Sequence, residues 1–352
     1  MKTILVTGGA GFIGSHTCLA LLEQGYNVIS IDSYINSSPI ALKRVKEIYD
    51  SKQIKNKPHF NVIKDDIRNT ERLNTIFSEA KNNGRPINGV IHFAGLKSVK
   101  ESVENPLLYW DTNLNSTISL LKVMEKNDCN TIVFSSSATV YGAGSNNNLI
   151  NEDAEINPIN SYGTTKYAIE MLLNDINNSA NQKWRIASLR YFNPIGAHNS
   201  GLIGENPLGL ANNIFPLILD AASGKIKKLK VFGDDWPTFD GTGVRDYIHV
   251  VDLAEGHIST LRYLFQKKSK VLNLNLGTGF GTSVLELINT FSKVNQVEVP
   301  YSFFKRRAGD VAYLVADNSL AKKLLNWSPV RSLENMCKDG WKWKMLNPKG
   351  YF

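Results

Sequence analysis

The stretch TILVTGGAGFIGSH at the start of the chain limits the possible folds more than any other. A short apolar run enters a glycine turn, and the turn opens a segment of helical pattern, FIGSHTCLALLEQG (12–25), closed by Gly25. Gly8, Gly11 and Gly14 follow a G-x-x-G-x-x-G spacing. Small residues there let the backbone turn tightly and approach a pyrophosphate. The helix N-terminus behind them, including Phe12 and Ile13, offers unpaired N–H groups at the positive end of a dipole. A second strand pattern, NVISID (27–32), ends in Asp32. An acid at that distance suits the ribose hydroxyls of a dinucleotide. Ser33 and Tyr34 come next, so no Arg or Lys awaits a 2′-phosphate, and the pattern reads as NAD rather than NADP. The bland alternative is a tight turn with a strand-capping Asp. A second glycine-rich segment, LGTGFGTSVLELI (276–288), has no following strand that ends in an acid and reads as a strand-to-helix loop.

Further strand patterns, FNVIKDDI (60–67), GVIHFAG (89–95) and TIVFSSS (131–137), alternate with helical segments. That alternation predicts an α/β fold, a Rossmann-like doubly wound parallel sheet with a smaller α/β substrate-binding C-terminal domain. Gly, Pro and Asn rise through NPIGAHNSGLIGENPLG, which puts a boundary near 195. The expected domains are 1–195 and 196–352, and a crossing of the chain back into the first is left open. SNNN (145–148) reads as a polar loop.

With 42% hydrophobic residues the chain can bury a large core. No apolar run is long enough for a membrane helix, and the N-terminus lacks a signal-peptide pattern. Cys18, Cys129 and Cys337 are odd in number and far apart. They fit a reducing cytoplasm and argue against a disulfide framework or a metal site. The formal charge is +8, but the basic residues are scattered apart from KIKKLK (225–230) and KKSK (267–270). No nucleic-acid partner is expected, and a positive balance suits a phosphate-bearing substrate.

Three Tyr-x-x-x-Lys pairs occur, Tyr162–Lys166, Tyr263–Lys267 and Tyr301–Lys305, so the spacing alone selects none. Tyr162 lies in SYGTTKYAIEMLL (161–173), where Ser161 can cap a helix and Ile169, Leu172, Leu173 and Ile176 form an apolar stripe. Seven residues are nearly two turns, so Tyr162 is in line with Ile169, and Lys166 is beside that line. A lysine there needs a counter-charge or a ligand. The other two pairs lie late in the chain and read as structural. SSSATVYG (135–142) follows the strand TIVF, and ligands of open α/β sheets gather at the carboxyl ends of strands. Ser137 and the segment HFAGLK (92–97) are expected there.

TGGAGFIGSHT, HFAGLKSVKES, SSSATVYG, SYGTTK, LRYFNPIGAH, GTGVRDYIHVVDLA and RRAGD occur in this order over nearly the whole chain. Together they closely resemble the UDP-glucose 4-epimerase (UDP-galactose 4-epimerase) family of extended short-chain dehydrogenases/reductases. The glycine turn and Tyr-x-x-x-Lys mark only the superfamily; SSSATVYG, RYFNPIGAH and GVRDYIHV are more specific. The resemblance implies inversion at C4 of a UDP-sugar without net oxidation, through a transient 4-keto sugar. Tyr162 would be the base, its pKa lowered by Lys166 and the positive nicotinamide, while Lys166 also holds the nicotinamide ribose and Ser137 bonds the 4-oxygen. Asp66 and Ile67 would lie near adenine. Phe93, Ala94, Gly95 and Lys97 would line the cofactor, with Asn113 and Phe192 nearby. On the UDP side the resemblance implies Asn193, Asn213, Phe232, Arg245, Arg307 and Asp310, with Lys97, Ser137 and Tyr162 reaching the substrate as well. Two arginines suit a diphosphate. Surface pairs Arg245–Asp246 and Arg307–Asp310 are the plain alternatives. Leu314 stands where relatives restricted to glucose and galactose often have a tyrosine, which leaves the use of UDP-N-acetylglucosamine open. A homodimer is the family expectation. The rivals are an NDP-sugar 4,6-dehydratase, whose Asp-Glu pair is replaced here by Ala138 and Thr139, and a non-catalytic NAD(H)-sensing protein.

Overall fold

The computed structural model describes residues 1–52, 56–142, 148–178, 183–209, 211, 213–307 and 309–351. Of the polar loop expected at 145–148, residues 145–147 lie outside the described residues. The first part of the chain runs β1 (Thr3–Thr7), α1 (Phe12–Glu23), β2 (Asn27–Asp32), α2 (Pro39–Asp50), β3 (Phe60–Lys64), α3 (Thr70–Asn82) and β4 (Ile87–His92). It continues with α4 (Val99–Glu104), α5 (Pro106–Tyr109), a π-helical turn Trp110–Leu114, α6 (Asn115–Lys126), β5 (Thr131–Ser137), α7 (Ser161–Asn178) and β6 (Arg185–Tyr191). The later part runs β7 (Asn193–Ile195), α8 (Ile214–Ala222), β8 (Leu229–Phe232), β9 (Val244–Arg245), β10 (Tyr247–His249), α9 (Val250–Phe265) and β11 (Lys270–Leu276). It ends with β12 (Thr282–Ser283), α10 (Val284–Asn295), β13 (Tyr301–Phe304), β14 (Tyr313–Leu314), α11 (Ser319–Leu325) and α12 (Leu333–Leu346).

Seven parallel strands form the central sheet in the order β11-β6-β5-β4-β1-β2-β3. Strand side chains alternate between its two faces. Ile4, Val6 and Leu189 pack with Leu19 and Leu22 of α1, Val45 of α2 and Leu253 and Leu261 of α9. Leu5, Ile29 and Ile132 pack on the other face with Leu73 of α3, Leu120 of α6 and Ile169 and Leu173 of α7. Both faces are covered, which is why the strands read as apolar runs rather than as alternating patterns.

The chain crosses the boundary expected at 195. β11 pairs along its whole length with β6, and α9 packs on α1, so both belong to the large sheet layer. α11 also packs on α9 and β11, and α8, β8, α10, β13 and α12 form a smaller layer around Phe215, Leu229, Phe291 and Met336. β9, β12 and β14 make one small sheet there, and β8 pairs with β13. Among the described residues no helix is long and apolar enough to cross a membrane.

Candidate active site

At the glycine turn the backbone packs on itself. Gly8 has φ +70°, and a Cβ there would lie 2.7 Å from the Ala94 nitrogen. A Cβ on Gly14 would lie 2.2 Å from the Gly8 carbonyl oxygen. Gly11 differs: its Cβ would meet only that oxygen, at 3.3 Å, and would otherwise face open space. Gly11 is also the N-cap of α1, which has no side-chain cap and no acid in its first turn. The N–H groups of Phe12, Ile13 and Gly14 therefore lie at a helix end that no side chain caps. Asp32 ends β2 beside it, nearly buried, and accepts from the Ala10 N–H at 2.8 Å, the Tyr34 N–H at 2.9 Å and the Ser37 hydroxyl at 2.8 Å. An oriented carboxylate beside an uncapped helix end fits a dinucleotide.

β4 ends against the turn. The Phe93 and Ala94 N–H groups donate to the Thr7 carbonyl and hydroxyl, at 3.0 and 3.3 Å. Asn113, in the π-helical turn, accepts from Leu96 N–H at 2.8 Å and donates to the Leu96 carbonyl and to Thr165, both at 3.2 Å. It ties the 93–97 loop, with Gly95, to α7, so in this structure it acts as a brace. Ile67 is buried, and Asp66 is forked by Arg68, whose hydrogen bonds hold its carboxyl below the usual range.

Ser137, Tyr162 and Lys166 come together at the carboxyl end of β5. Ser137 Oγ accepts from the Thr139 N–H and hydroxyl, at 3.2 and 3.0 Å, and lies near the Tyr162 phenol. Lys166 is 5% exposed, donates to the Ser135 carbonyl at 2.7 Å and stands 5.7 Å from the centre of the Tyr162 ring. The helix start differs from expectation: Ser161 is already helical, and Asn160 caps it, its side chain accepting from Gly163 N–H at 2.9 Å. Burial is the leading influence on both ionisable groups. Burial pushes the Tyr162 phenol up to about 12, and the nearby Ser137 hydroxyl opposes that. Burial likewise lowers Lys166 to about 8, and the Glu170 carboxylate opposes that. The other two Tyr-x-x-x-Lys pairs stay apart from this cluster. Lys267 lies over Tyr263 on the surface of α9, and Tyr301 is on the exposed strand β13.

The small layer holds the second group. Asn193, on β7, receives no more than a backbone tie, its N–H donating to the Asp246 carbonyl at 2.9 Å. Arg245 and Leu314 are paired residues of β9 and β14. The alternative pairing of Arg245 with Asp246 does not form. Asp246 is satisfied by Thr278 N–H and hydroxyl, Gly279 N–H and Ala316 N–H, at 2.8, 2.7, 2.9 and 3.3 Å. That also accounts for the second glycine-rich segment, since a Cβ on Gly277 would lie 2.5 Å from the Asp246 carboxylate. Among the described residues Arg245 bonds only its neighbour's carbonyl, and burial lowers its pKa. Arg307 does pair with Asp310, at 2.9 Å, and lies 4.7 Å from the centre of Phe232. Phe192 is buried with Ala138, Val140 and Tyr141, and Leu314 packs on the same cluster, beside the turn that follows Ser137.

Two residues were not read from the sequence. Glu205 accepts from Asn213 at 3.2 Å and pairs with Lys97 at 3.5 Å, so it joins the two groups. Glu170 is one turn beyond Lys166 and pairs with Arg190 at 2.8 Å. The acid four residues after a buried lysine was the available signal.

The chain is 49% identical to the UDP-glucose 4-epimerase of Bacillus subtilis, over 99% of this chain and 98% of that protein. The UDP-glucose 4-epimerase family is the one to which this chain belongs. A sequence model described as GDP-mannose 4,6 dehydratase also matches residues 5–340, a broader relationship that includes the rival chemistry. Among solved structures, the UDP-glucose 4-epimerase of Stenotrophomonas maltophila, with bound NAD and formylated UDP-arabinopyranose, has a TM-score of 0.92 and 44% identity, covering 99% of both chains. The Bifidobacterium longum enzyme, in complex with NAD+ and UDP, has a TM-score of 0.91 and 46% identity, covering 99% of this chain and 100% of that one.

Proposed function

We propose that the chain is an NAD-dependent UDP-glucose 4-epimerase that interconverts UDP-galactose and UDP-glucose through a transient 4-keto sugar. The observation that carries this reading is the Ser137–Tyr162–Lys166 cluster beside the glycine turn, with no carboxylate in the next two positions. Ala138 is buried, and Thr139 is spent on Ser137. A dehydratase needs an acid and a base there. The presence of both Tyr162 and Lys166 argues against a non-catalytic NAD(H) sensor.

Bound NAD supplies reversible hydride acceptance at C4 of the sugar. Asp32 would hold its adenosine ribose, and the uncapped start of α1 its pyrophosphate. Asp66 and Ile67 are assigned to the adenine end, and Phe93, Ala94, Gly95, Lys97, Asn113 and Phe192 to the walls of the site. Tyr162 takes the 4-hydroxyl proton and returns it after the sugar has turned. Ser137 orients the 4-oxygen. A phenol pushed toward 12 is a poor base at neutral pH, so Tyr162 depends on the charge of Lys166 and of the oxidised cofactor. Arg245, which has no carboxylate partner among the described residues, and Arg307 are assigned to the diphosphate, with Asn193, Asn213, Phe232 and Asp310 around the nucleotide.

The experiment is a product assay on UDP-galactose and UDP-N-acetylgalactosamine in parallel. Formation of UDP-glucose is expected; its absence from NAD-loaded protein would remove the reading. The second substrate reads whether Leu314 admits an N-acetyl group. A cytoplasmic homodimer belongs to the same proposal. Buried free cysteines support the compartment, and exposed Val103, Leu107 and Leu108 on α4 and α5, beside Met171 on α7, support self-association. A monomer in sedimentation would contradict the dimer.

A further inference from the structure

Three consecutive serines at the end of β5 meet three side chains one turn apart on α7. The Ser137 hydroxyl lies near Tyr162, the Ser135 carbonyl accepts from Lys166, and the Ser136 hydroxyl donates to Glu170. Ser136 is paired across the sheet with Arg190 of β6. Arg190 closes on Glu170 through Nε at 3.1 Å and Nη2 at 2.8 Å. The two side chains are 3% and 1% exposed. Arg190 Nη1 also donates to the Tyr141 hydroxyl at 2.9 Å and to the Glu152 carbonyl at 3.1 Å. A fully buried ion pair is weak as a source of stability, because apolar residues of similar volume do as well or better. Its place one turn from Lys166 gives it another use.

We propose that Glu170, held by Arg190, is a positioning residue for Lys166: its carboxylate keeps a cation in the buried crevice and fixes the turn of α7 that carries Tyr162. This deepens the epimerase reading and rests on it. The groups around Lys166 leave the task to Glu170. β5 presents the Phe134 ring, 4.8 Å from the ammonium. β4 presents His92, which burial lowers to about 3 and so leaves neutral. β6 presents Arg190 and the neutral Tyr191, and the turn after β5 presents Tyr141, bonded to Arg190. Burial works against the Lys166 charge, and the Glu170 carboxylate opposes that loss.

Glu170→Gln alone leaves Arg190 buried without a counter-charge and can fail to fold. The double variant Glu170→Gln/Arg190→Met removes both charges and is the decisive form. Purified with its NAD, it is expected to keep the KM for UDP-galactose within about twofold, because neither residue touches UDP. The basic limb of its kcat profile is expected about one pH unit lower than in the wild type. The titration of Lys166, followed by NMR on lysine-labelled protein, is expected to move down by the same amount. A folded double variant with both midpoints unmoved, whatever its kcat, would reduce the pair to a structural prop and overturn the proposal. If the wild type does not turn over UDP-galactose, the epimerase reading falls separately. The NMR midpoint then decides the placement of Glu170: lowered supports it, unmoved ends it.

Discussion

Tyr162 bears the hardest chemical demand in the molecule. Its ring is carried by α7 near Ser137, and its burial favours the phenol. Tyr162→Phe removes one hydroxyl and keeps the ring, so the fold and the bound NAD should persist. Loss of a positioned acid–base group predicts a fall in kcat of about 10²–10⁴-fold. Near-wild-type turnover would remove Tyr162 as the base, while release of NAD from the folded variant would point to a cofactor-holding role instead. Much of this site was legible in the sequence, because Tyr162 and Lys166 share one helix and helical spacing is a local rule. The contacts that set their protonation were not. Ser135 O and Ser137 meet Lys166 and Tyr162 through sheet-to-helix packing, and no spacing rule reports how far burial will move a phenol. Arg245 teaches the same lesson from the other side. A neighbouring Asp246 suggested a pair, but three backbone N–H groups and a hydroxyl from 278–279 and 316 had already claimed that carboxylate.

The strand–turn–helix unit β1–α1 separates two uses of glycine. At Gly14 a methyl group would lie 2.2 Å from the Gly8 oxygen and 2.8 Å from Gly9 Cα, both backbone atoms that cannot swing away. Gly14→Ala should therefore cost about 3 kcal/mol of stability, read as a lowered Tm of the cofactor-free protein. At Gly11 the same methyl would meet one oxygen at 3.3 Å and project toward the open end of α1. Gly11→Ala should leave the Tm nearly unchanged and weaken NAD binding by at least about tenfold, since it crowds the N–H groups meant for the pyrophosphate. Equal losses of stability in the two variants would deny that the turn has a ligand-facing side. This unit was readable because every signal in it is local. β11 was not assigned to the sheet from sequence, since its partner β6 is about eighty residues away and strand patterning does not name a partner.

The whole molecule carries a pH response set by histidines far apart in the fold. His16 on α1 and His92 on β4 are buried and lowered to about 3; His257 on α9 is buried and lowered to about 4. Desolvation is the leading cause at each. His92 is bonded to Thr7 at 2.7 Å and Thr117 at 3.0 Å, and His257 to the Leu253 carbonyl at 2.8 Å; the carbonyl favours the charged ring, but burial outweighs it. In the unfolded chain the same histidines take up protons near pH 6.5. Between that pH and their folded values the unfolded state binds more protons, so stability is full above about pH 6.5 and is lost as the pH falls. With three such groups the slope approaches about 4 kcal/mol per pH unit near pH 5. Tyrosines set the opposite edge: burial raises Tyr141, Tyr247 and Tyr351 to about 12, so stability falls as the pH rises above about 10, where the unfolded phenols ionise and the folded ones do not. Chemical denaturation from pH 5 to 8 at constant ionic strength measures the acid side directly. A flat midpoint over that range would mean that the three histidines are protonated in the folded protein, against the burial that encloses them.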